Sequence, residues 1–517
     1  MKRLTIITLF SASLALVSCS QKTADERFID NLMSQMTLNE KLGQLNLPGT
    51  VKGTELDSLI LSGKIGGFFN IKGVEEISRL QHLAVEQGPH GIPLLVGADV
   101  VHGYETIFPI PLALSCSWDS TAVEQMARIS AIEATADGVN WNYSPMIDIC
   151  RDPRWGRIAE GSGEDPYLGS VMHFALYGAA EGGRDYNAVD MSRENMFNYY
   201  LPPFHAAIKQ GVGSLMTSFN LINGQHATSS GWLVNDVLRS DWAFNGLVVT
   251  DYGSVPEVAT MGCASENDAA AVTIKAGTDM DMVSGLFVNT LEDALRRGAI
   301  TEKMIDDACR RVLRAKQQLG LFDNPYKYCN RERVKNDIFN TAHREVARQI
   351  ATETFVLLKN QDELLPLKQK GKIALIGPLA DAGNNMCGCW SMLCNDQLHK
   401  SLLQAMRETV DGSAEILYAQ GCNIYYDETV QQNAMGLRPI GRGDDSRLHR
   451  EALEVAAKAD VIVAAMGECA DMSGESASRA DITIPDTQRD LLRKLVATGK
   501  PVVLLLFTGR PLVLDWE

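Results

Sequence analysis

Acidic residues directly follow short apolar runs at two points in the first half of the chain. Asp251 comes after Leu247–Thr250, and Asp99 comes soon after Ile92–Gly97. A carboxylate exposed at the end of a strand can attack the anomeric carbon of a sugar, because a retaining hydrolase needs a nucleophile on one face and a proton donor on the other. It can also accept hydrogen bonds from sugar hydroxyls, as we expect for Asp99. Aspartate equally favours helix N-caps, so position alone leaves both interpretations open.

A third candidate is the segment 151–157, which reads Arg-Asp-Pro-Arg-Trp-Gly-Arg. Arg154 and Arg157 supply forked hydrogen-bond donors, and Trp155 between them supplies an apolar face for a sugar ring. The alternative is that one arginine serves only in an ion pair with a nearby acid, namely Glu160, Glu164 or Asp165.

The elements that would hold these residues alternate between strand-like and helical patterns from about residue 28 to 320. A helix is predicted over 121–137, where small and apolar residues recur at helical spacing before Gly138. Strands are predicted at Ile92–Gly97, Val139–Ser144, Val212–Phe219 and Leu247–Thr250. This alternation favours a (β/α)8 barrel, whose functional residues follow the strand ends.

A second unit is predicted after the turn residues 323–326. Near-continuous apolar runs indicate strands covered on both faces, and a helix is predicted over 448–459. The strand candidates are Lys372–Gly377, Val461–Gly467 and Val502–Phe507. We therefore predict a barrel domain over 25–325, a linker over 326–350 and a separate α/β sheet domain over 351–517.

Composition restricts the functional classes. Hydrophobic residues make up 45% of the 517 positions and charged residues 22%, as in folded enzymes. A net charge of −16 disfavours nucleic acid and anionic lipid as partners. Neutral sugars are compatible with this charge.

The N-terminus has the pattern of an export signal. Lys2 and Arg3 precede an apolar run from Leu4 to Val17 that is too short to cross a bilayer. The run ends before Ser18 and Cys19, which resembles the lipobox of bacterial lipoproteins. We expect a signal peptide over 1–19, lipidation of Cys19 and a periplasmic or outer-membrane-anchored protein, with membrane contact only through the lipid. An ordinary signal peptide is the alternative.

The remaining ten cysteines lack the regular spacing of a disulfide scaffold. Cys387, Cys389 and Cys394 form one cluster, but a second ligand pair or a nearby histidine is not evident. The sequence therefore predicts no metal site there.

Taken together, several motifs resemble glycoside hydrolase family 3, and the resemblance extends over residues 25 to 517. The motifs occur in the family's order and read GADVVHG, RDPRWGR, GEDPYLG, HFALYG, GRDY, TSFN, VVTDYGS, GESASRADITIP and FTGRP. The resemblance implies a (β/α)8-type barrel that carries the nucleophile, and an α/β sandwich that supplies the acid/base. It is greatest to β-glucosidases and implies no metal or organic cofactor.

The resemblance assigns roles to individual residues. Asp251 matches the nucleophile, and Glu475 matches the proton donor, with Glu468 as the competing candidate. The residues that match sugar-contacting positions are Asp99, Arg157, His173 and Tyr252, the last standing where many relatives have tryptophan. A retaining mechanism requires the two catalytic carboxyl groups to lie about 5 to 5.5 Å apart.

The chain departs from the family at two places. After Ser170 it runs almost directly into His173-Phe174, so about one βα unit of some 30 residues is expected to be missing from the barrel. Met172 stands where the family has a sugar-binding lysine. The chain also stops at Glu517, where relatives continue, which indicates a truncated C-terminus.

Three functions remain compatible with these residues. The first is an exo-acting retaining β-glucosidase that hydrolyses terminal β-D-glucosyl residues of small oligosaccharides or β-glucosides. The second is a β-xylosidase of the same family. The third is a catalytically impaired carbohydrate-binding remnant, favoured by the expected loss of a barrel strand.

Overall fold

The structure is a computed structural model that describes residues 22–49, 51–164 and 172–517. The expected signal peptide and Cys19 lie outside the described residues, as do most of the residues around the expected deletion. Two sets of strands lie along the chain. The first comprises β1 (Asn46–Leu47), β2 (Gly67–Phe69), β3 (Leu95–Ala98), β4 (Trp141–Asn142), β5 (Ser214–Met216), β6 (Leu221–Ile222), β7 (Gln225–His226), β8 (Leu247–Val249) and β9 (Asp281–Met282).

Parallel pairing closes the first set into a barrel, as predicted. β1 pairs with β9, β2 with β3, β3 with β4 and β5 with β8, all in parallel. A hydrogen bond of 2.9 Å from the Gly66 amide to the Asn46 carbonyl joins β1 to β2, and a bridge between Val249 and Met280 joins β8 to β9. β6 and β7 form a separate antiparallel hairpin.

The expected loss of a barrel strand is wrong. Met172 forms a parallel bridge with Met146, and Phe174 forms one with Thr217. Residues 172–174 thus occupy the strand position between β4 and β5 and connect to both neighbours. The described residues between β4 and Met172 contain the 3₁₀ turn Gly156–Glu160 but no α-helix. The ring of strands is therefore closed although the connection is short.

Helices surround this barrel and bury its outer face. They are α1 (Ala24–Gln35), α2 (Leu38–Gln44), α3 (Thr54–Leu61), α4 (Val74–Gln87), α5 (Pro111–Ser115), α6 (Ser120–Ala136), α7 (Arg193–Asn195), α8 (Pro202–Lys209), α9 (Ser254–Thr260), α10 (Ala269–Lys275), α11 (Leu286–Arg296) and α12 (Glu302–Gln318). Residues Met196–Tyr200 and Trp232–Asp241 are π-helical. The predicted 121–137 helix is confirmed as α6, and Asp119 caps it by accepting a hydrogen bond from the Thr121 amide.

The segment expected to be a linker contains two helices, α13 (Arg331–Asp337) and α14 (Thr341–Glu353). Ala347 and Ile350 of α14 pack against Met126 and Ile129 of α6. This segment is therefore docked on the barrel by apolar burial, which a free linker would not be.

The second unit is a four-stranded parallel sheet in the order β11-β10-β12-β13, with apolar clusters on both faces. Its elements are β10 (Gly371–Ile376), α15 (Leu402–Val410), β11 (Ala414–Ala419), α16 (Glu428–Ala434), α17 (Asp445–Lys458), β12 (Val461–Gly467), α18 (Asp486–Val496) and β13 (Val502–Phe507). The three predicted strands are confirmed as β10, β12 and β13, and the 448–459 helix as α17. Within the described part of the chain, no helix has the length and apolarity to cross a bilayer.

Candidate active site

Asp251 lies just beyond β8, at the carboxyl end of the barrel strands, as predicted. Its side chain is only 10% exposed. Oδ1 accepts a hydrogen bond of 2.7 Å from the Tyr252 amide. Oδ2 lies 3.3 Å from His173 Nε2 but has no hydrogen-bond partner among the described residues. A buried carboxylate oxygen without a partner is costly and is a natural position for a reacting substrate atom.

His173 is held in place by Asp148. The backbone amide and Nδ1 of His173 both donate to Asp148 Oδ2 at 2.8 Å. Burial and the charge of Arg157 lower the pKa of His173, so the ring is neutral near pH 7. Because Nδ1 carries the proton, Nε2 presents a lone pair that can accept a hydrogen bond from a sugar hydroxyl.

Arg157 forms the ion pair that was one interpretation of the segment 151–157, and it also keeps a donor for a ligand, which was the other. Its Nε and Nη2 each donate to Glu160 at 2.9 Å, and both side chains are buried. Nη1, however, has no partner among the described residues. The guanidinium lies 5.2 Å from the ring centre of Trp390 and 5.6 Å from that of Tyr177. The ion pair thus orients the arginine and leaves one donor for a ligand.

Asp99 follows β3 and is fixed by Asn70. The Asn70 side-chain amide donates to Asp99 Oδ2 at 2.8 Å, and the Asp99 backbone amide donates to Asn70 Oδ1 at 3.1 Å. Burial raises the pKa of Asp99, and the charge of Arg157 opposes that rise. Asn70 therefore fixes the Asp99 carboxylate at the end of β3, and its role toward a sugar stays a prediction.

Glu475 reaches the barrel on a loop of the second unit. Tyr186 donates a hydrogen bond to Glu475 Oε1, and the Ser476 amide donates to Asp185 Oδ2 at 2.5 Å. The Gly474 amide donates to the Gly156 carbonyl at 2.8 Å. The segment 474–476, here called the acid/base loop, is thus attached to the barrel on both sides of Glu475.

Glu468, the competing proton donor, has no free oxygen. Its carboxylate accepts hydrogen bonds from Arg479 at 2.5 Å and from Arg510 Nε at 2.9 Å. Thr508 and the Gly509 amide donate to its other oxygen, both at 3.2 Å. Since the carboxylate is buried and saturated by cations and donors, it is suited to holding the loops rather than to transferring protons.

Electrostatic coupling links the two predicted catalytic carboxyl groups. Burial raises the pKa of Asp251, and the negative charge of Glu475 raises it further. The positive charge of Arg157 and the Tyr252 amide oppose this effect on the pKa. Arg157 therefore favours the ionised form of Asp251, the form that can act as a nucleophile.

Two aromatic residues flank the site at its opening. Tyr252 is 51% exposed, and its ring meets Phe69 edge-on at 6.3 Å between ring centres. Trp390, contributed by the second unit, lies over Arg157. Met172, in contrast, is 3% exposed and belongs to the barrel core, so it provides no polar group in place of the family's lysine.

Sequence reasoning misses most of the residues that support these side chains. It does not single out Asp148, Asp185, Tyr186 or Trp390, although Asp185 and Tyr186 belong to the quoted GRDY motif. That motif is the available signal for the two contacts to the acid/base loop. Trp390 has no such signal, because its contact with Arg157 depends on how the second unit lies on the barrel.

The cysteine cluster requires a correction. The expectation of no nearby histidine is wrong: His399, five positions after Cys394 in the sequence, lies next to Cys387 and Cys394, with all three potential ligand atoms within 4.8 Å of one another. Cys389 is not part of this group.

Comparisons with known sequences agree with this geometry. The profile of the glycosyl hydrolase family 3 N terminal domain matches residues 37–172 and 168–315, and that of the C-terminal domain matches 355–517. The two N-terminal matches overlap at 168–172, where the sequence predicted a deletion.

Individual relatives match over most of the chain. A periplasmic beta-glucosidase from Salmonella typhimurium is 40% identical over 96% of this chain and 69% of its own length. A beta-xylosidase from Formosa agariphila is 30% identical over 100% of this chain and 72% of its own. The crystal structure of a beta-glucosidase from Listeria innocua with glucose superposes with a TM-score of 0.84 at 35% identity, covering 95% of this chain and 70% of that one. This chain therefore belongs to glycosyl hydrolase family 3 and is a glycoside hydrolase.

Proposed function

We propose that this protein is an exo-acting retaining β-glucosidase with Asp251 as nucleophile and Glu475 as acid/base. It cleaves terminal β-D-glucosyl residues from small oligosaccharides or β-glucosides. The barrel over 25–325 binds the sugar, and the unit over 351–517 supplies the proton donor. Asp99, Arg157 and His173 bind the hydroxyls of the glucosyl residue, and Tyr252 provides an aromatic surface beside it.

The observation that carries this proposal is a pair of unsatisfied buried atoms in the same site. Asp251 Oδ2 and Arg157 Nη1 are both buried without a hydrogen-bond partner among the described residues. Buried donors and acceptors are normally paired, so two unpaired atoms of opposite character support a polar ligand between them. A sugar offers hydroxyl groups for the donor and an anomeric carbon for the carboxylate oxygen.

In the first step, Asp251 Oδ2 attacks the anomeric carbon and the bond to the leaving oxygen breaks. Glu475 gives its proton to that oxygen, so the aglycone leaves as an alcohol. In the second step, Glu475 takes a proton from water, whose oxygen attacks the anomeric carbon and releases Asp251. The desolvated site strengthens the attraction between Arg157 and the ionised nucleophile.

The relatives support a glucosyl substrate. The Salmonella relative and the Listeria structures are named beta-glucosidases, whereas the Formosa beta-xylosidase has lower identity. The two activities are separated by comparing kcat/KM on 4-nitrophenyl β-D-glucoside and β-D-xyloside. A preference for the xyloside would replace the glucosidase assignment while leaving the residue roles intact.

The direct test is covalent trapping. Purified protein without residues 1 to 19 is treated with 2,4-dinitrophenyl 2-deoxy-2-fluoro-β-D-glucoside, which slows hydrolysis of the glycosyl-enzyme. We expect the mass to increase by one fluoroglucosyl group, located on Asp251 by peptide mapping. Asp251→Asn should show no labelling, whereas Asp236→Asn, which removes an exposed carboxylate, should label normally.

Substrates with different leaving groups distinguish the roles of the two carboxylates. Glu475→Gln should retain kcat/KM on dinitrophenyl glucoside, whose leaving group needs no proton, and lose it on cellobiose, while kcat falls on both because the second step needs Glu475 as a base. Equal loss of kcat/KM on both substrates would contradict the Glu475 assignment. Folded protein that neither labels nor hydrolyses either substrate would favour the non-catalytic remnant.

We also propose export and lipidation at Cys19, by the sequence pattern alone. Growth with radiolabelled palmitate should label the full chain, and Cys19→Ala should abolish the label. A soluble, unlabelled protein in the periplasm would instead indicate an ordinary signal peptide.

A further inference from the structure

The loop 387–399 of the second unit brings together two cysteines and one histidine that are not among the candidate active-site residues. Cys387 is 1% exposed, and Cys394 and His399 are partly buried. Both cysteines are free thiols, and one ligand atom from each of the three residues lies within 4.8 Å of the other two. His399 Nε2 is buried and has no hydrogen-bond partner among the described residues.

These ligands are of the kind that zinc prefers. Thiolate sulfur binds Zn²⁺ at about 2.3 Å and imidazole nitrogen at about 2.0 to 2.1 Å in tetrahedral geometry. Such a site separates its ligand atoms by roughly 3.4 to 3.8 Å. The three atoms in this loop therefore need to close by roughly 1 to 1.4 Å at most, a change that side-chain torsions can provide.

We propose that Cys387, Cys394 and His399 bind a zinc ion that fixes the loop 387–399. Three protein ligands leave a fourth position for water or for a nearby carboxylate. None of these three residues is assigned a role in the hydrolytic steps, and the proposed ion takes no part in them.

The position of the loop explains why fixing it would matter. The Cys389 carbonyl accepts a hydrogen bond of 2.7 Å from His102 Nε2, and the Asn395 amide donates to Glu105 Oε1 at 2.9 Å. Between them, Trp390 lies over Arg157. A metal that joins both ends of the loop would restrict Trp390 and so favour the bound geometry of the sugar-binding arginine.

The primary test measures the metal directly. Protein is purified with its thiols reduced, equilibrated with equimolar zinc, freed of unbound metal and analysed by mass spectrometry for elemental zinc. We expect about one zinc per chain. Cobalt substitution should give sulfur-to-cobalt charge-transfer absorption, which needs no variant and reports thiolate ligands.

Variants identify the ligands. Cys394→Ser and His399→Gln should each reduce bound zinc to background and remove the cobalt absorption. Cys389→Ser is the matched control, because this cysteine lies in the same segment but outside the group, and it should retain the metal. Circular dichroism establishes that each variant is folded. In the wild type, removal of zinc by a chelator should raise KM for the glucoside several-fold and change kcat little.

Two results would overturn the proposal. The first is reduced wild-type protein that binds no zinc or cobalt above the level of Cys394→Ser. The second is a Cys387–Cys394 peptide lighter by two hydrogen atoms in protein isolated from the periplasm, which would identify a disulfide in place of a metal. Neither result depends on hydrolytic activity, so failure here is distinct from failure of the proposed function.

Discussion

Gly156 provides a test of how closely the acid/base loop must fit the barrel. Its carbonyl accepts the Gly474 amide, and a β-carbon at this position would lie 2.3 Å from the Gly474 oxygen and 2.7 Å from the Ala477 carbonyl carbon. Ordinary contacts begin at 3.4 Å. Gly156→Ala must therefore displace backbone atoms of the loop by about 1 Å, since no flexible side chain is available to move.

Displacing the acid/base loop moves Glu475 away from the leaving oxygen and should slow proton transfer. A misplacement of about 1 Å in a catalytic group costs on the order of 100-fold in rate, or about 2.7 kcal/mol in the activation free energy. We expect kcat on cellobiose to fall by roughly this factor in Gly156→Ala. The kcat/KM for 2,4-dinitrophenyl β-D-glucoside should fall much less, because this parameter ends with the departure of a leaving group that needs no proton from Glu475.

Gly231→Ala is the matched control. Gly231 has φ −59°, and a β-carbon added there would meet no atom of the described residues within 4 Å, so alanine fits without strain. Its kinetics should equal those of the wild type. If Gly156→Ala hydrolysed both substrates at wild-type rates while remaining folded, then either the loop can move without consequence or Glu475 is not the proton donor.

Three further outcomes are expected. Tyr186→Phe removes the hydrogen bond to Glu475 and should lower kcat/KM on cellobiose about tenfold while sparing kcat/KM on the dinitrophenyl glucoside, measured side by side. Because burial raises the pKa of Asp251, kcat/KM should fall on acidification from a higher pH than an ordinary aspartate would give, and Arg157→Met should move this acid limb to still higher pH. Burial lowers the pKa of Lys316 to about 7, below its value in the unfolded chain, so the unfolded chain binds more protons above pH 7. Lys316 should therefore contribute a rise in the free energy of unfolding with pH between about 7 and 10, by up to about 1.4 kcal/mol per unit. Lys316→Met should remove this slope in denaturant titrations, and an unchanged slope would contradict the assignment.

The sequence predicted the parts of the site that follow directly from strand ends. Asp99 and Asp251 each terminate an apolar run, and parallel strands deliver such residues to one end of a barrel. The helix α6 and the strands β10, β12 and β13 were likewise predicted, because long periodic or continuous apolar patterns specify their element. The predicted strand ends differ from the observed ends by a few residues. For example, the predicted strand Val139–Ser144 is observed as β4, Trp141–Asn142.

Long-range contacts were beyond sequence reasoning. The expected missing strand depended on counting residues between motifs, yet a strand position needs only Met172 and Phe174 to pair with their neighbours. The linker between the units was predicted from turn residues, whereas α14 packs on α6 through Ala347 and Ile350. His399 stands five positions after Cys394, so the sequence carries this ligand, whereas its approach to Cys387 depends on the fold.

One buried arginine, Arg510, joins the two units through several hydrogen bonds. Arg510 is 1% exposed, and its Nη1 donates to the carbonyls of Pro153 and Arg154 in the barrel. Its Nη2 donates to the carbonyls of Met472 and Ala477, which flank the acid/base loop. One planar guanidinium thus joins the segment that carries Arg157 to the segment that carries Glu475.

Glu468 completes this arrangement by neutralising Arg510. A buried ion pair adds little net stability, because desolvation offsets the attraction. Its effect is on geometry, since a guanidinium with four carbonyl acceptors and one carboxylate has a single position in which all its donors are satisfied. The proposed reaction uses residues of both units, so the position of one unit relative to the other must be held within about half an ångström. An acidic residue at position 468 is therefore explained by its contact with Arg510 and does not need to be the proton donor.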